Sequence, residues 1–223
     1  MSKSINILLA LLIIPTAILA LLVGFDLNAL GFVRGLDTPY IAEFFIGMAI
    51  FAGILLFWRA FRRWSALFIF RNEKQFVWVG ASTQTHINRV RFYLLLEALF
   101  FVCLGIYFFW ISELTLYISL VFLASALESV IFIAMRCNPK HLKAGIIKNG
   151  LVIADRDLTF YYFSGLKSVS TQNESIYLEY RNDLCLAFPI HAINKEDRPA
   201  FMDHFLSAVD KKRVFVSDKI RGL

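Results

Sequence analysis

Four apolar runs fill the first 135 residues of this chain, at 5–25, 40–58, 92–111 and 114–135. A polar stretch then runs from 136 to the last residue, 223. A bilayer's hydrocarbon core takes roughly 20 apolar residues as a helix. Backbone facing lipid must satisfy its own amides, so each run is expected to be a helix. A soluble four-helix core would need polar faces, and these runs have almost none. The expected architecture is a membrane all-α four-helix bundle over 1–135, followed by a second, cytoplasmic α+β domain. Of the whole chain, 58% is hydrophobic and 18% charged, and most of the 23 Phe lie in the runs. The excess apolarity is therefore concentrated in the runs.

Lys3 gives the first run a basic start. Its length exceeds the 7–15 residues usual for a signal-peptide core. No small-residue cleavage site closes it, since Ala17 and Ala20 lie inside. It reads as a retained span, with Pro15 bending it.

The net charge of +6 is distributed as a topology signal. The loop 59–91 carries Arg59, Arg62, Arg63, Arg71, Lys74, Arg89 and Arg91 against one acid, Glu73. Arg136, Lys140, Lys143 and Lys148 follow the fourth run, whereas 26–39 has Asp26 and Asp37 against Arg34. Basic residues stay on the cytoplasmic side. Both termini and the long loop are therefore expected in the cytoplasm, and a bacterial inner membrane is the expected location. Attraction to anionic headgroups is a second effect, and nucleic acid is not an expected partner.

Cys103, Cys137 and Cys185 form no paired pattern, and no Cys-x-x-Cys or paired His exists. Neither a disulfide framework nor a metal is expected, and no cofactor is implied. His86, His141, His191 and His204 are scattered, with no hydrolase, phosphate-loop or metalloprotease motif around them. The chain reads as non-enzymatic.

Small residues recur four apart at Ala20 and Gly24, Ala49 and Gly53, Ser125 and Ser129. That spacing lets helices approach closely, either inside one bundle or at an oligomer seam. The loop 59–91 also holds Trp64 and Trp78. Trp with Arg suits the headgroup region, so Arg59, Arg62, Arg63, Trp64, Trp78, Arg89, Arg91 and Arg136 are the candidate membrane-interface residues. The loop is either an interfacial helix continuing the second span or a short hairpin turning at 71–74.

After 140, period-2 alternation replaces the apolar runs. It predicts strands over 144–153, 158–163, 166–171, 175–180 and 184–189, the first split by a tight turn at 148–150 and the last two forming a hairpin. An amphipathic helix over 195–209 follows, capped by Asn194 or Asp197, with Pro199 in its first turn. Phe201, Phe205, Leu206 and Val209 form its apolar stripe. Short antiparallel strands closed by one C-terminal helix resemble a pleckstrin-homology-like (PH-like) barrel. Tyr161-Tyr-Phe-Ser-Gly-Leu-Lys-Ser-Val169 and Phe188-Pro-Ile-His-Ala-Ile193 are similar to segments of the YcxB-like bacterial membrane proteins. Phe163 stands where that family often has Trp, and four spans precede the domain where members typically carry two. The resemblance covers about 145–212, leaving 213–223 as a tail. It implies an interaction or membrane-adjacent module and no catalytic residues.

Glu97 and Glu128 are the unusual polar residues of the spans, with Ser125 and Ser129 beside Glu128. Ionisable groups inside a membrane are costly and mark function or pairing. At 1.5 Å per residue, the two carboxylates lie at about 9 and 12 Å from the same basic side. Three readings stay open: pairing with Arg59, Arg62 or Arg89; docking to another membrane subunit; and a proton- or ion-coupled transporter. Lys140, Lys143, Lys148, Lys167, Lys211, Lys212 and Arg213 are candidates for an anionic lipid or an acidic partner. The leading expectation is a scaffold whose cytoplasmic domain engages a protein partner or a second copy.

Overall fold

The computed structural model describes residues 2–25, 39–139, 141–172, 174–182, 184–209 and 214–217. The chain forms two compact units: Met1–Arg62 with Tyr93–Ala134, and Arg63–Phe92 with Met135–Leu223. The acidic connection 26–38 and the cations Lys140, Lys211, Lys212 and Arg213 lie outside the described residues.

The first unit is built from α1 (Ser2–Gly24) and the larger parts of α2 (Ile41–Ile69), α3 (Gln84–Ile111) and α4 (Leu116–Arg136). All four are long and apolar enough to cross a membrane, yet only about a third of each apolar window is buried in protein (28–33%). The remainder includes Ile14, Ile54, Phe57, Leu99, Phe109 and Leu127 on open faces. Soluble monomers rarely expose contiguous apolar surface beyond a few hundred Å², so these faces call for lipid. These are the helices of a multi-pass membrane protein.

Inside the unit, Phe101 and Phe108 each stack on Phe122 with ring centroids 5.8 Å apart. Ala20, Ala49 and Ser129, from the small-residue pairs, are all buried, so that spacing serves packing within this unit. Gly105 does the same where no motif pointed: a Cβ there would lie 2.7 Å from Leu123 side-chain atoms. The close approach lets Ser119 Oγ donate to the Gly105 carbonyl at 2.7 Å. Tyr107 donates to the Ala17 carbonyl and Thr16 to the Leu12 carbonyl. Each hydroxyl is thus satisfied where water is absent.

Helix α2 does not stop with its apolar run at 58. It continues through Arg59, Arg62 and Arg63 to Ile69, and α3 begins at Gln84. Arginine ends a hydropathy window without ending a helix, because its helix propensity is high. Most of the 59–91 loop is therefore helical, as an extension of α2 and a head start for α3.

The second unit holds two four-stranded sheets. One is antiparallel in the order β1 (Trp78–Ala81), β2 (Lys143–Ile147), β3 (Gly150–Ala154), β4 (Leu158–Tyr162). The other runs β7 (Cys185–Pro189), β6 (Ser175–Tyr180), β5 (Leu166–Gln172), β8 (Phe215–Val216), with β8 parallel to β5. The five expected strand runs are all present, the first divided between β2 and β3, and β6 and β7 pair as the expected hairpin. Helix α5 (Arg198–Ala208) follows a 3-10 turn at Lys195–Asp197. Neither Asn194 nor Asp197 makes a side-chain cap bond, because the preceding turn already leads the backbone into the helix.

One core joins both sheets to α5 through Ile146, Ile153, Val169, Leu178, Phe188, Phe201 and Phe205. A second core lies on the other face of the first sheet, where Ala66 and Phe70 meet Val152 and Ala154. Strand β3 is consequently buried at all five positions, which accounts for its unbroken apolar run. Gly145 on β2 serves this face too. A Cβ there would come within 2.5 Å of Phe76, whose ring stacks on Phe70 at 4.8 Å.

The sheets are not joined by a ladder into a closed barrel: β4 and β7 each end their sheet as edge strands. Two tyrosine hydroxyls reach over the seam between those strands. Tyr161 on β4 donates to the Ala187 carbonyl on β7 at 3.3 Å, and Tyr180 on β6 donates to the Tyr162 carbonyl on β4 at 2.8 Å. Edge carbonyls unpaired by backbone thus find partners, which also blunts the edges against pairing with other chains.

Candidate functional site

Within the helical unit, Glu97 on α3 is held by Arg59 on α2 through an ion pair, with the side chains 11% and 12% exposed. Ser129 on α4 donates to its other carboxylate oxygen at 3.3 Å. Three helices thus converge on one carboxylate. The pairing of Glu97 with Arg59 is among the arrangements that depth along the helices suggested. Ser125 and Glu128 are partly buried on α4 nearby in sequence, and Glu128 is itself engaged.

In the sheet unit, the basic interface candidates are used by the protein's own backbone and rings. Arg91 Nε donates to the Cys137 carbonyl at 3.0 Å, just past the last turn of α4. A cation there suits the negative end of a helix. Arg136 lies 5.8 Å over the Trp64 ring and 3.0 Å from His141 Nε2. Arg63 is 1% exposed. Trp78, read as a headgroup anchor, sits in β1 with its ring 5.1 Å from Phe201 in the domain core. A Trp beside aromatic and basic residues is equally suited to an interface and a core, and sequence alone does not separate the two.

Burial pushes the Cys137 thiol up to about 11, outweighing Arg91 and Arg63, which act to lower it. At pH 8 about one thiol in a thousand is then the reactive thiolate. Brief maleimide treatment of the detergent-solubilised protein at pH 8 is therefore expected to label the exposed Cys185 and leave Cys137 free. Peptide mass spectrometry reads the outcome, and equal labelling would contradict the burial.

Of the candidate lipid-binding cations, Lys143, Lys148 and Lys167 are described. Lys167 pairs with Glu179 across β5 and β6 at 3.3 Å. Ser168 and Lys167 together hold the Glu179 carboxyl below its usual range. An exposed cation beside a carboxylate adds little attraction to an anionic surface.

The seam between β4 and β7 holds a small, partly open cavity of about 40 Å³. Its walls are Ile153, Asp155, Thr159 and Tyr161 from the β3–β4 hairpin, Phe188, Pro189 and Ala192 from the end of β7 and the turn after it, and His86 from the first turn of α3. The Thr83 hydroxyl meets the His86 backbone N–H at 3.3 Å, and so starts that helix. His86 has a side chain only 9% exposed, and neither ring nitrogen makes a hydrogen bond. Nε2 lies 3.4 Å from Asp155 Oδ1, beyond the usual range of a well-formed hydrogen bond. The Asp155 side chain is 36% exposed at the rim. Burial raises its carboxyl, but His86, the Arg156 N–H at 2.7 Å and the Arg156 charge outweigh this and hold it below its ordinary value.

His191 closes the same region, its ring 6.3 Å from that of His86. Burial and the neighbouring Arg89 lower it, so at neutral pH its Nε2 accepts from Arg89 at 3.1 Å. Two of the scattered histidines are thus brought together. Among the described residues no three His, Cys, Asp or Glu are grouped to hold a metal.

Neither protein-family models, curated proteins nor solved structures match this chain. Function must be argued from the geometry.

Proposed function

We propose that this is a non-enzymatic, multi-pass protein of a bacterial inner membrane that presents a cytoplasmic PH-like domain to a protein partner, as an accessory or scaffold subunit. One observation carries the reading. The chain passes between the helical unit and the sheet unit three times, after Arg62, after Phe92 and after Ala134. Three helix ends therefore feed one domain. Three covalent links, each through a helix, make the domain an integral part of the membrane protein, which supports the reading of an accessory or scaffold subunit. Strands β2 to β7 followed by α5, with only the two-residue β8 after it, support the PH-like reading. The basic residues Arg63, Arg71, Lys74, Arg89 and Arg91 belong to this unit, which by the positive-inside rule supports a cytoplasmic side for it.

The transporter reading is less well supported, because Arg59 and Ser129 already occupy both oxygens of Glu97. The lipid reading loses support from the Lys167–Glu179 pair. Purification of the full-length protein in mild detergent tests the proposal. A stoichiometric partner is expected, and it should be lost when the sheet domain is destabilised by Phe201→Ala. Recovery of the wild type alone, as a monomer, would overturn it.

A further inference from the structure

Asp155 has no lysine or arginine within ion-pair distance among the described residues; the contact within that distance is the His86 imidazole at 3.4 Å. His86 in turn keeps two buried ring nitrogens without hydrogen bonds. The Tyr161 hydroxyl beside them makes one long bond, at 3.3 Å. One carboxylate, one imidazole and one phenol thus face a small cavity whose remaining wall includes the Phe188 ring. Buried polar groups are normally partnered, so this set is incomplete as it stands.

The geometry points to a binding site, in the seam between β4 and β7, for a single primary alkylammonium group held by Asp155, His86 and Tyr161. An ammonium has three N–H donors and no acceptor, and the seam offers a carboxylate oxygen, an imidazole whose ring nitrogens make no hydrogen bond, and a phenol oxygen. A cavity of about 40 Å³ holds little more than one or two waters. It admits the tip of an alkyl chain and excludes a planar guanidinium. The nearby charges of Arg156 and Arg89 oppose a cation, so affinity for an isolated amine is expected on the order of 1 mM. The source of the ammonium rests on the docking reading above: a lysine side chain of the protein partner, with a free small amine as the other supplier of the same chemistry.

The test uses the full chain in detergent. n-Butylammonium is titrated at constant ionic strength while the histidine ring resonances are followed by NMR. Saturable movement of the His86 signal is expected, about tenfold weaker in Asp155→Asn, with no response to tetramethylammonium, which has no N–H. An equal response to both cations would overturn the site even if the variant misfolds, because that comparison needs only the wild type. So would micromolar Zn²⁺ moving the signal where n-butylammonium does not.

Carbodiimide coupling in native membranes separates the sources, because it joins a carboxylate to an amine in contact with loss of water. A crosslink from Asp155 to a partner lysine identifies a protein source, and a low-mass amide identifies a free amine. Butylammonium binding without a co-purifying partner would sink the docking reading and leave the pocket standing.

Discussion

Arg59→Ala is expected to lower the stability of the helical unit by about 3–5 kcal/mol, the usual result of stripping one partner from a buried ion pair. Arg59 and Glu97 are each nearly nine-tenths buried, and the carboxylate would lose its ion-pair partner while keeping the long Ser129 bond. The low-dielectric surroundings raise the penalty of a lone charge. The double variant Arg59→Met with Glu97→Gln is expected to recover most of the loss, since both charges then leave together. Unfolding in mixed micelles, followed by far-ultraviolet circular dichroism, reads both. A change below 1 kcal/mol for Arg59→Ala would show that the pair contributes little. The same experiment bears on transport. A carboxylate whose removal with its partner leaves the protein stable and its partner bound is a structural clasp.

Phe201→Ala is expected to cost the sheet domain about 3–5 kcal/mol, as for other fully buried phenylalanines. Phe201 is fully buried and touches three other rings, Trp78 on β1, Phe188 on β7 and Phe205 on α5. It therefore fastens both sheets and the helix at one point. Loss of near-ultraviolet dichroism and rapid proteolysis within 140–215 are expected, with the four helices still protected in detergent. Resistance equal to the wild type would mean the core can collapse around the missing ring.

The parts legible in the sequence are those set by local pattern. Four apolar runs gave four helices, and alternation from residue 144 gave β2 to β7 within a residue or two. Turn residues such as Lys148-Asn-Gly150 divided the strands correctly because their chemistry is local. The stripe Phe201, Phe205 and Val209 was legible as a core-facing helix, and all three are buried.

What escaped was long-range. Trp78–Ala81 has four residues, includes a glycine and pairs with a strand that follows two further helices. No local period marks such a strand. The two-residue β8 is shorter still. His86, Asp155 and His191 are single residues on separate elements, and no spacing rule links them. Only the folded seam brings them together. Glu97 was legible as unusual because charge in an apolar run stands out, and depth along the helices narrowed its partner.

The pairing of β1 with β2 also governs the order in which the protein can be completed. Ala81 lies opposite Lys143, and the whole of α3 and α4 must be made and inserted between them. At about 5–20 residues per second, the newly made β1 waits several seconds without its neighbour. The C-terminal stretch from Met135 would, if expressed alone, lack the strand that covers one edge of β2 and the Trp78 ring that packs on Phe201. The sheet domain therefore cannot be completed until α3 and α4 have been made, so its folding closes the synthesis of the whole helical unit.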